Sequence, residues 1–196
     1  MKQALEPRAP SVRVITLKVN SAQGSAVQWK VAQARAEVNA SKWILTVMVL
    51  PTSWEEKSRC SMRIRRRQML QSSTFGLPAV QRVRRFNWLQ AWEPFFSSDF
   101  SYQDFSFLRF GGQTTLKGTQ THNGTECYSL EEALANNPYY SKIETLVATA
   151  SGLPVERDYY DLTGKLYKIE RYEQIVTIQN VLTITRIVMT DLQNGY

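Results

Sequence analysis

The stretch "GGQTTLKGTQTHNGTECYSLEE", residues 111–132, sets two runs of mixed polar and apolar residues on either side of Asn123-Gly124. Asn-Gly is the pair that best tolerates the two left-handed residues of a type I′ turn, whose twist matches the strands it joins. The stretch therefore predicts a β-hairpin, with His122 as an exposed residue beside its turn. Further turn signals follow at Ser151-Gly152-Leu153-Pro154 and Asp161-Leu162-Thr163-Gly164. Between them the chain reads as strands at 113–121, 126–131, 141–149, 155–160, 165–176 and 182–191. Strands joined by such short turns favour an antiparallel sheet over a βαβ arrangement.

Working outward toward the N-terminus, residues 12–19 and 27–34 alternate around "NSAQGS" and predict another hairpin. "KWILTVMVLP" reads as a denser apolar strand stopped by Pro51. Residues 53–75 keep no sustained period of 2 or 3.6, and the first eleven residues read as disordered. Helix is scarce, with one short candidate near 101–107 that Ser or Asp could cap. The expected class is mainly β with minor helix (α+β): a curved antiparallel sheet in one domain over residues 12–196, with 53–76 as an insert-like stretch.

A 196-residue chain with 43% hydrophobic and 21% charged residues has the composition of a globular protein. It holds no run of about 18 apolar residues. The net charge of +7 and pI near 9.5 suggest an anionic partner. That charge is concentrated: Lys57, Arg59, Arg63, Arg65, Arg66 and Arg67 supply +6, leaving +1 for the remainder. Cys60 and Cys127 lack CxxC spacing and fit neither a disulfide scaffold nor a zinc site. "MKQALEPRAPS" has no apolar h-region, so either the protein is cytosolic or its start has been lost.

Ordinary catalytic constellations are missing. His122 is the only histidine, which removes multi-histidine metal sites and makes any triad depend on one turn residue. Asp99 and Asp104 could form a carboxylate pair for acid/base work, but helix capping or pairing with Arg82, Arg84 or Arg85 explains them better. No nucleotide-binding glycine motif occurs, and no metal or cofactor is expected. The chain does not read as an enzyme. Aromatics cluster instead at Phe86, Trp88, Trp92, Phe95, Phe96, Phe100, Tyr102, Phe105 and Phe107. They describe either a cover over an apolar ligand cavity or a loop completing the core, and spacing alone favours the core.

"LPAVQRVRRF" followed by "SSDFSYQDFS" resembles the outer membrane lipoprotein-sorting proteins, relatives of the periplasmic lipoprotein carrier LolA. The match is carried by Leu77, Pro78, Arg82, Val83, Arg84 and Arg85, then by Ser98, Asp99, Phe100, Ser101, Tyr102 and Asp104. Gln103 stands where Glu is usual. "ECYSLE", "PYYSKIETLV", "SGLPVERDYYDLTGKLYKIERYE" and "TRIVMTDLQNG" extend the likeness to the C-terminus, and a weaker one covers residues 12–52. The resemblance implies an incomplete antiparallel barrel with short covering helices, whose apolar face holds acyl chains of a lipoprotein or lipid. It implies a periplasmic location and an inner-membrane transporter as partner. Phe86, Trp88, Trp92, Phe95, Phe100, Tyr102 and Phe105 are then expected to line or cover the cavity, with Arg84 and Asp99 as an ion pair holding the cover.

Three departures from the family are expected to matter: no secretion signal, an early end after "DLQNG", and the basic stretch "KSRCSMRIRRRQMLQSSTFG" at 57–76. Read one base earlier, Trp54-Glu55 encodes Gly, and Met62 before a CGN arginine encodes Ala. Permitted third bases then give His-Ala-Asn-Pro-Ala over 61–66 and Ile-Tyr-Val over 72–75, which is family-like. Residues 53–76 thus read as a local frameshift. The alternative is a nucleic-acid or anionic-membrane binding module that uses the arginines of 57–67 as phosphate contacts. A binding footprint normally spreads over a face, and outside this stretch only Arg82, Arg84 and Arg85 cluster.

Overall fold

The structure, a computed structural model, describes the backbone of residues 11–20, 24, 26–39, 42–50, 61–66, 71–77, 82–86, 92–95, 98–101 and 113–194; it describes side chains for 11–20, 24, 27–34, 92–95, 98–101 and 113–194. The chain divides into two compact units, one of them Pro7–Phe107 and the other containing Leu108–Tyr196. Each holds one open, six-stranded, antiparallel sheet whose strands pair in chain order. Among the described residues there is no α-helix and neither sheet closes into a barrel. The short covering helices expected from the sequence are therefore not seen. Ser101, at the start of the helix candidate, makes an antiparallel bridge to Pro94 instead; residues 102–107 lie outside the described residues.

The first sheet comprises β1 (Ser11–Asn20), β2 (Ala26–Asn39), β3 (Lys42–Leu50), β4 (Ser61–Arg66), β5 (Gln71–Leu77) and β6 (Arg82–Phe86). β1 and β2 form the expected hairpin, in register from Ser11↔Arg35 to Asn20↔Ala26. Its covered face takes Ile15, Leu17 and Val31, while Val12 and Val14 face outward. Arg13 falls on the covered side, opposite the buried Gln33, and burial lowers its pKa. β4 and β5 occupy the stretch that showed no period. They pair with β3 and β6 by main-chain hydrogen bonds, which require no side-chain alternation.

The second sheet comprises β7 (Gln113–His122), β8 (Thr125–Ala133), β9 (Lys142–Ala148), β10 (Pro154–Tyr160), β11 (Leu166–Ile178) and β12 (Val181–Asp191), with β7 and β12 at its edges. Each strand read from the sequence is present, displaced by a few residues at most. Asn123 and Gly124 both have positive φ, 49° and 77°, as a type I′ turn requires. At the β10–β11 turn, Asp161 Oδ1 accepts hydrogen bonds from the Thr163 and Lys165 amides (2.9 and 3.0 Å), and Oδ2 accepts one from Gln193 Nε2 (2.9 Å). The Thr163 hydroxyl, which also donates to Oδ1 at 2.6 Å, is the largest cause holding the Asp161 carboxyl well below the usual range, followed by Gln193 and the amides. Asp191 receives the amides of Gln193 and Asn194 in the same way, at 2.9 and 2.8 Å. The two aspartates thus fasten the end of β12 to the β10–β11 turn.

Strand β9 shows why this sheet holds. Ile143, Thr145 and Val147 are buried while Lys142, Glu144 and Leu146 are half-covered, the period-2 pattern of a strand with one inward face. Register places Tyr159 opposite Ile143 and Arg157 opposite Thr145; Lys168 and Glu170 follow on β11, opposite Tyr159 and Arg157. The inward face therefore mixes apolar and charged side chains.

Candidate functional site

In the first unit, the aromatic segment is described over residues 92–95 and 98–101. Trp92 and Phe95 are buried, and Phe100 is half-covered. The Phe95 amide donates to the Phe100 carbonyl at 2.6 Å, and the Ser98 amide donates back to the Phe95 carbonyl at 3.0 Å. The buried Ser98 hydroxyl also donates to that carbonyl at 2.6 Å. Residues 93–95 and 98–101 are thus folded on one another, and the hydroxyl of Ser98 is what the family-like Ser-Asp pair contributes locally. The Phe95 backbone is held at both its amide and its carbonyl, and the residue is buried.

The second unit contains a cluster that motif reading missed. On the inward face Tyr159 Oη donates to Glu170 Oε2 at 2.7 Å, Arg157 Nη1 lies 3.5 Å from the same oxygen, and the guanidinium stands 5.6 Å over the Tyr172 ring. Glu170 is only 4% exposed and Tyr159 1%. Burial works against a charged Arg157, but the neighbouring Tyr172, Tyr159 and Glu170 outweigh it and push its pKa above the ordinary value. Tyr140 stacks obliquely on Tyr159 and Tyr167 with centroids 5.2 and 6.1 Å apart. These contacts join residues 11 to 27 apart in sequence, so only strand register reveals them; the sole sequence signal was the recurrence of "PYY" and "DYYD".

The opposite face of this sheet is a charge ladder. Lys117 and Lys142 reach Glu131 at 3.3 and 3.2 Å, Lys142 also reaches Glu144 at 2.5 Å, and Arg171 reaches Glu156 at 2.9 Å. His122 Nε2 sits 3.9 Å from Glu156, so the turn histidine leans on the sheet and is less exposed than expected. Asp158 lies between Glu144 and Glu156. Burial first, then those two carboxylates, raises its pKa to about 6. Its Oδ1 is buried and has no hydrogen-bond partner among the described residues. Among the described residues no group of His, Cys, Asp or Glu is arranged to hold a metal.

A family model described as an uncharacterized protein matches residues 72–196, the span from β5 to the C-terminus. The chain belongs to that family. Its fold is the LolA-like fold, as three solved structures show. One, named as an outer membrane lipoprotein-sorting protein domain from Vibrio parahaemolyticus, superposes with a TM-score of 0.84 at 19% identity, over 99% of this chain and 83% of that one. A DUF1329 family protein from Desulfovibrio piger gives 0.82 at 19%, with the same coverages of 99% and 83%. A LolA superfamily protein from Nitrosomonas europaea gives 0.73 at 17%, over 99% and 84%. No curated protein matches the sequence.

Within this LolA-like fold the expected site residues separate into three groups. Trp92, Phe95, Ser98, Asp99 and Phe100 come together in the loop just described. Phe86, Arg82, Arg84 and Arg85 lie on β6 and Leu77 ends β5, with the backbone alone described. Pro78, Trp88, Tyr102, Asp104 and Phe105 lie outside the described residues, and with them the proposed pairing of Arg84 with Asp99. Cys127 is buried and unbridged on β8.

Proposed function

We propose that this protein is a periplasmic carrier that holds the acyl chains of a lipoprotein or lipid and moves them by binding, without chemistry. The observation that carries the reading is the LolA-like fold over 99% of the chain, shared with a structure named for lipoprotein sorting. Burial of an acyl chain is worth about 0.8 kcal/mol per CH₂, so an apolar enclosure can hold a lipid that water rejects. Phe86, Trp88, Trp92, Phe95, Phe100, Tyr102 and Phe105 are the residues we assign to that enclosure, with an Arg84–Asp99 pair holding the cover. An inner-membrane transporter is the partner that would load it.

The test is native mass spectrometry of the purified chain for co-purified lipid, followed by titration with a fluorescent fatty acid. Bound lipid, or saturable uptake that a lipoprotein's acyl chains displace, supports carriage. Absence of both overturns it. A double-mutant cycle on Arg84 and Asp99 reads the cover separately, and a coupling energy of zero removes that pair.

A further inference from the structure

Strands β11 and β12 run on past the rest of their sheet. The last pairing of β10 with β11 joins Glu156 to Arg171, whereas β11 and β12 stay paired as far as Ile178 and Val181. Among the described residues, the sheet beyond Glu173 is a two-stranded ribbon, closed by Gln179 and Asn180 with φ of 49° and 61°. Ile175 stands opposite Ile184, and Ile178 opposite Val181. Opposed residues share a face and successive residues alternate, so Ile175, Leu182 and Ile184 occupy one face and Val176, Ile178 and Val181 the other. Five of these six are exposed, from 42% for Val176 to 51% for Ile178. No charged residue lies between Glu173 and Arg186, and those two pair at the base of the ribbon at 3.2 Å.

Such a ribbon is anomalous in water. Edge hairpins are ordinarily guarded by charge or proline, and isolated two-stranded ribbons are marginal without a covered face. Here both faces are aliphatic and neither is guarded. We propose that the ribbon, residues 174–185, is a membrane-interface anchor that inserts its tip into the surface of a lipid bilayer. A partner's sheet or groove would cover one face and leave the other wet, whereas a bilayer surrounds both.

The dimensions agree. At about 3.3 Å per residue the arms rise roughly 15 Å beyond the Glu173–Arg186 pair, enough to reach the acyl boundary but well short of a ~30 Å hydrocarbon core. The unpaired backbone edges of a two-stranded ribbon forbid deeper burial. Gln179 and Asn180 at the apex, with the hydroxyls of Thr177, Thr183 and Thr185, also belong at an interface. The inference does not depend on cargo carriage.

The experiment is flotation of the full chain with phosphatidylcholine vesicles at low and high salt, using the parent, Ile178→Lys and Leu182→Lys, one change on each face. Partitioning that survives high salt and falls by about tenfold or more in each variant is expected, since each puts a charge where the bilayer would otherwise take up an aliphatic group. Both lysines sit where no third strand pairs among the described residues, so far-ultraviolet circular dichroism should be unchanged. If a variant misfolds, Leu182→Trp reads the tip directly: a blue-shifted emission quenched by brominated acyl chains is expected. Absence of flotation, flotation abolished by salt, flotation indifferent to both lysines, or an unshifted tryptophan each overturns the proposal. So does a concentration-dependent dimer that both lysines dissolve, because the occupant is then a second copy. Fatty-acid uptake by the lysine variants separates this outcome from failure of carriage.

Discussion

Replacing Glu170 by leucine should destabilise the second unit far more than an exposed ion pair would. Glu170 accepts the Tyr159 hydroxyl at 2.7 Å and lies 3.5 Å from the Arg157 guanidinium, on a face where Glu170 is 4% exposed. A hydrogen bond to a charged group contributes about 1.5–3 kcal/mol. Removing one partner of a buried pair costs about 3–5 kcal/mol, because the remaining charge stays desolvated. The two contributions overlap, so the expected loss is about 4 kcal/mol, a large share of the 5–15 kcal/mol of an ordinary domain. Tyr159→Phe, which leaves the ion pair in place, should cost about 2 kcal/mol. The double change Arg157→Met with Glu170→Leu should recover about half of the loss, since apolar replacement of a buried ion pair is often neutral but the buried Tyr159 hydroxyl still loses its acceptor. Urea unfolding followed by far-ultraviolet circular dichroism measures all three through the midpoint and slope. A Glu170→Leu loss under 1 kcal/mol, or a double variant no more stable than Glu170→Leu alone, would refute the reasoning.

Asp158 offers a pH test. Its folded-state pKa of about 6 lies above its ordinary 3.8, so the folded protein holds this proton more tightly than the unfolded chain does. Its contribution favours folding below 3.8 and is lost as pH rises through about 6. Asp158→Asn should therefore raise the melting temperature at pH 7 and flatten the pH dependence between 4 and 6; with half the group screened by solvent the gain is about 1 kcal/mol. Phe95→Ala in the aromatic loop should cost about 3–5 kcal/mol by chemical denaturation, the range for a buried aromatic, and a loss below 1 would show the ring is not packed. Burial, with Glu126 nearby, pushes the Cys127 thiol up. Its alkylation, followed by peptide mass mapping, should be at least an order of magnitude slower in the folded protein than in denaturant, and equal rates would place it at the surface.

How much of this could be read from the chain alone varies with how local the cause is. Asn123-Gly124 and Asp161-Leu162-Thr163-Gly164 announce their turns because positive φ and side-chain-to-backbone bonding are properties of adjacent residues. Gln179-Asn180 makes the same kind of turn with a weaker signal, and neither dipeptide rule nor glycine marks it. Strands β4 and β5 escaped notice because the alternation of β4 lasts only from Ser61 to Arg65 and β5 has none, while their ladder uses backbone groups that every residue owns. The aromatic loop was found as a composition, but the hydroxyl of Ser98 that folds it became visible only in space.

By itself the sequence determined the class, an antiparallel β protein, because turn chemistry and period-2 patterning act over a few residues. The tertiary structure alone decided which groups meet. Arg157 and Glu170 are opposed because β10 and β11 pair in one register and not in its neighbour, and a one-residue slip would send both to the other face. The same register carries β11 and β12 beyond their neighbours and exposes the aliphatic ribbon. Register is a sum over a whole strand of burial and pairing, and no short stretch of the chain contains it.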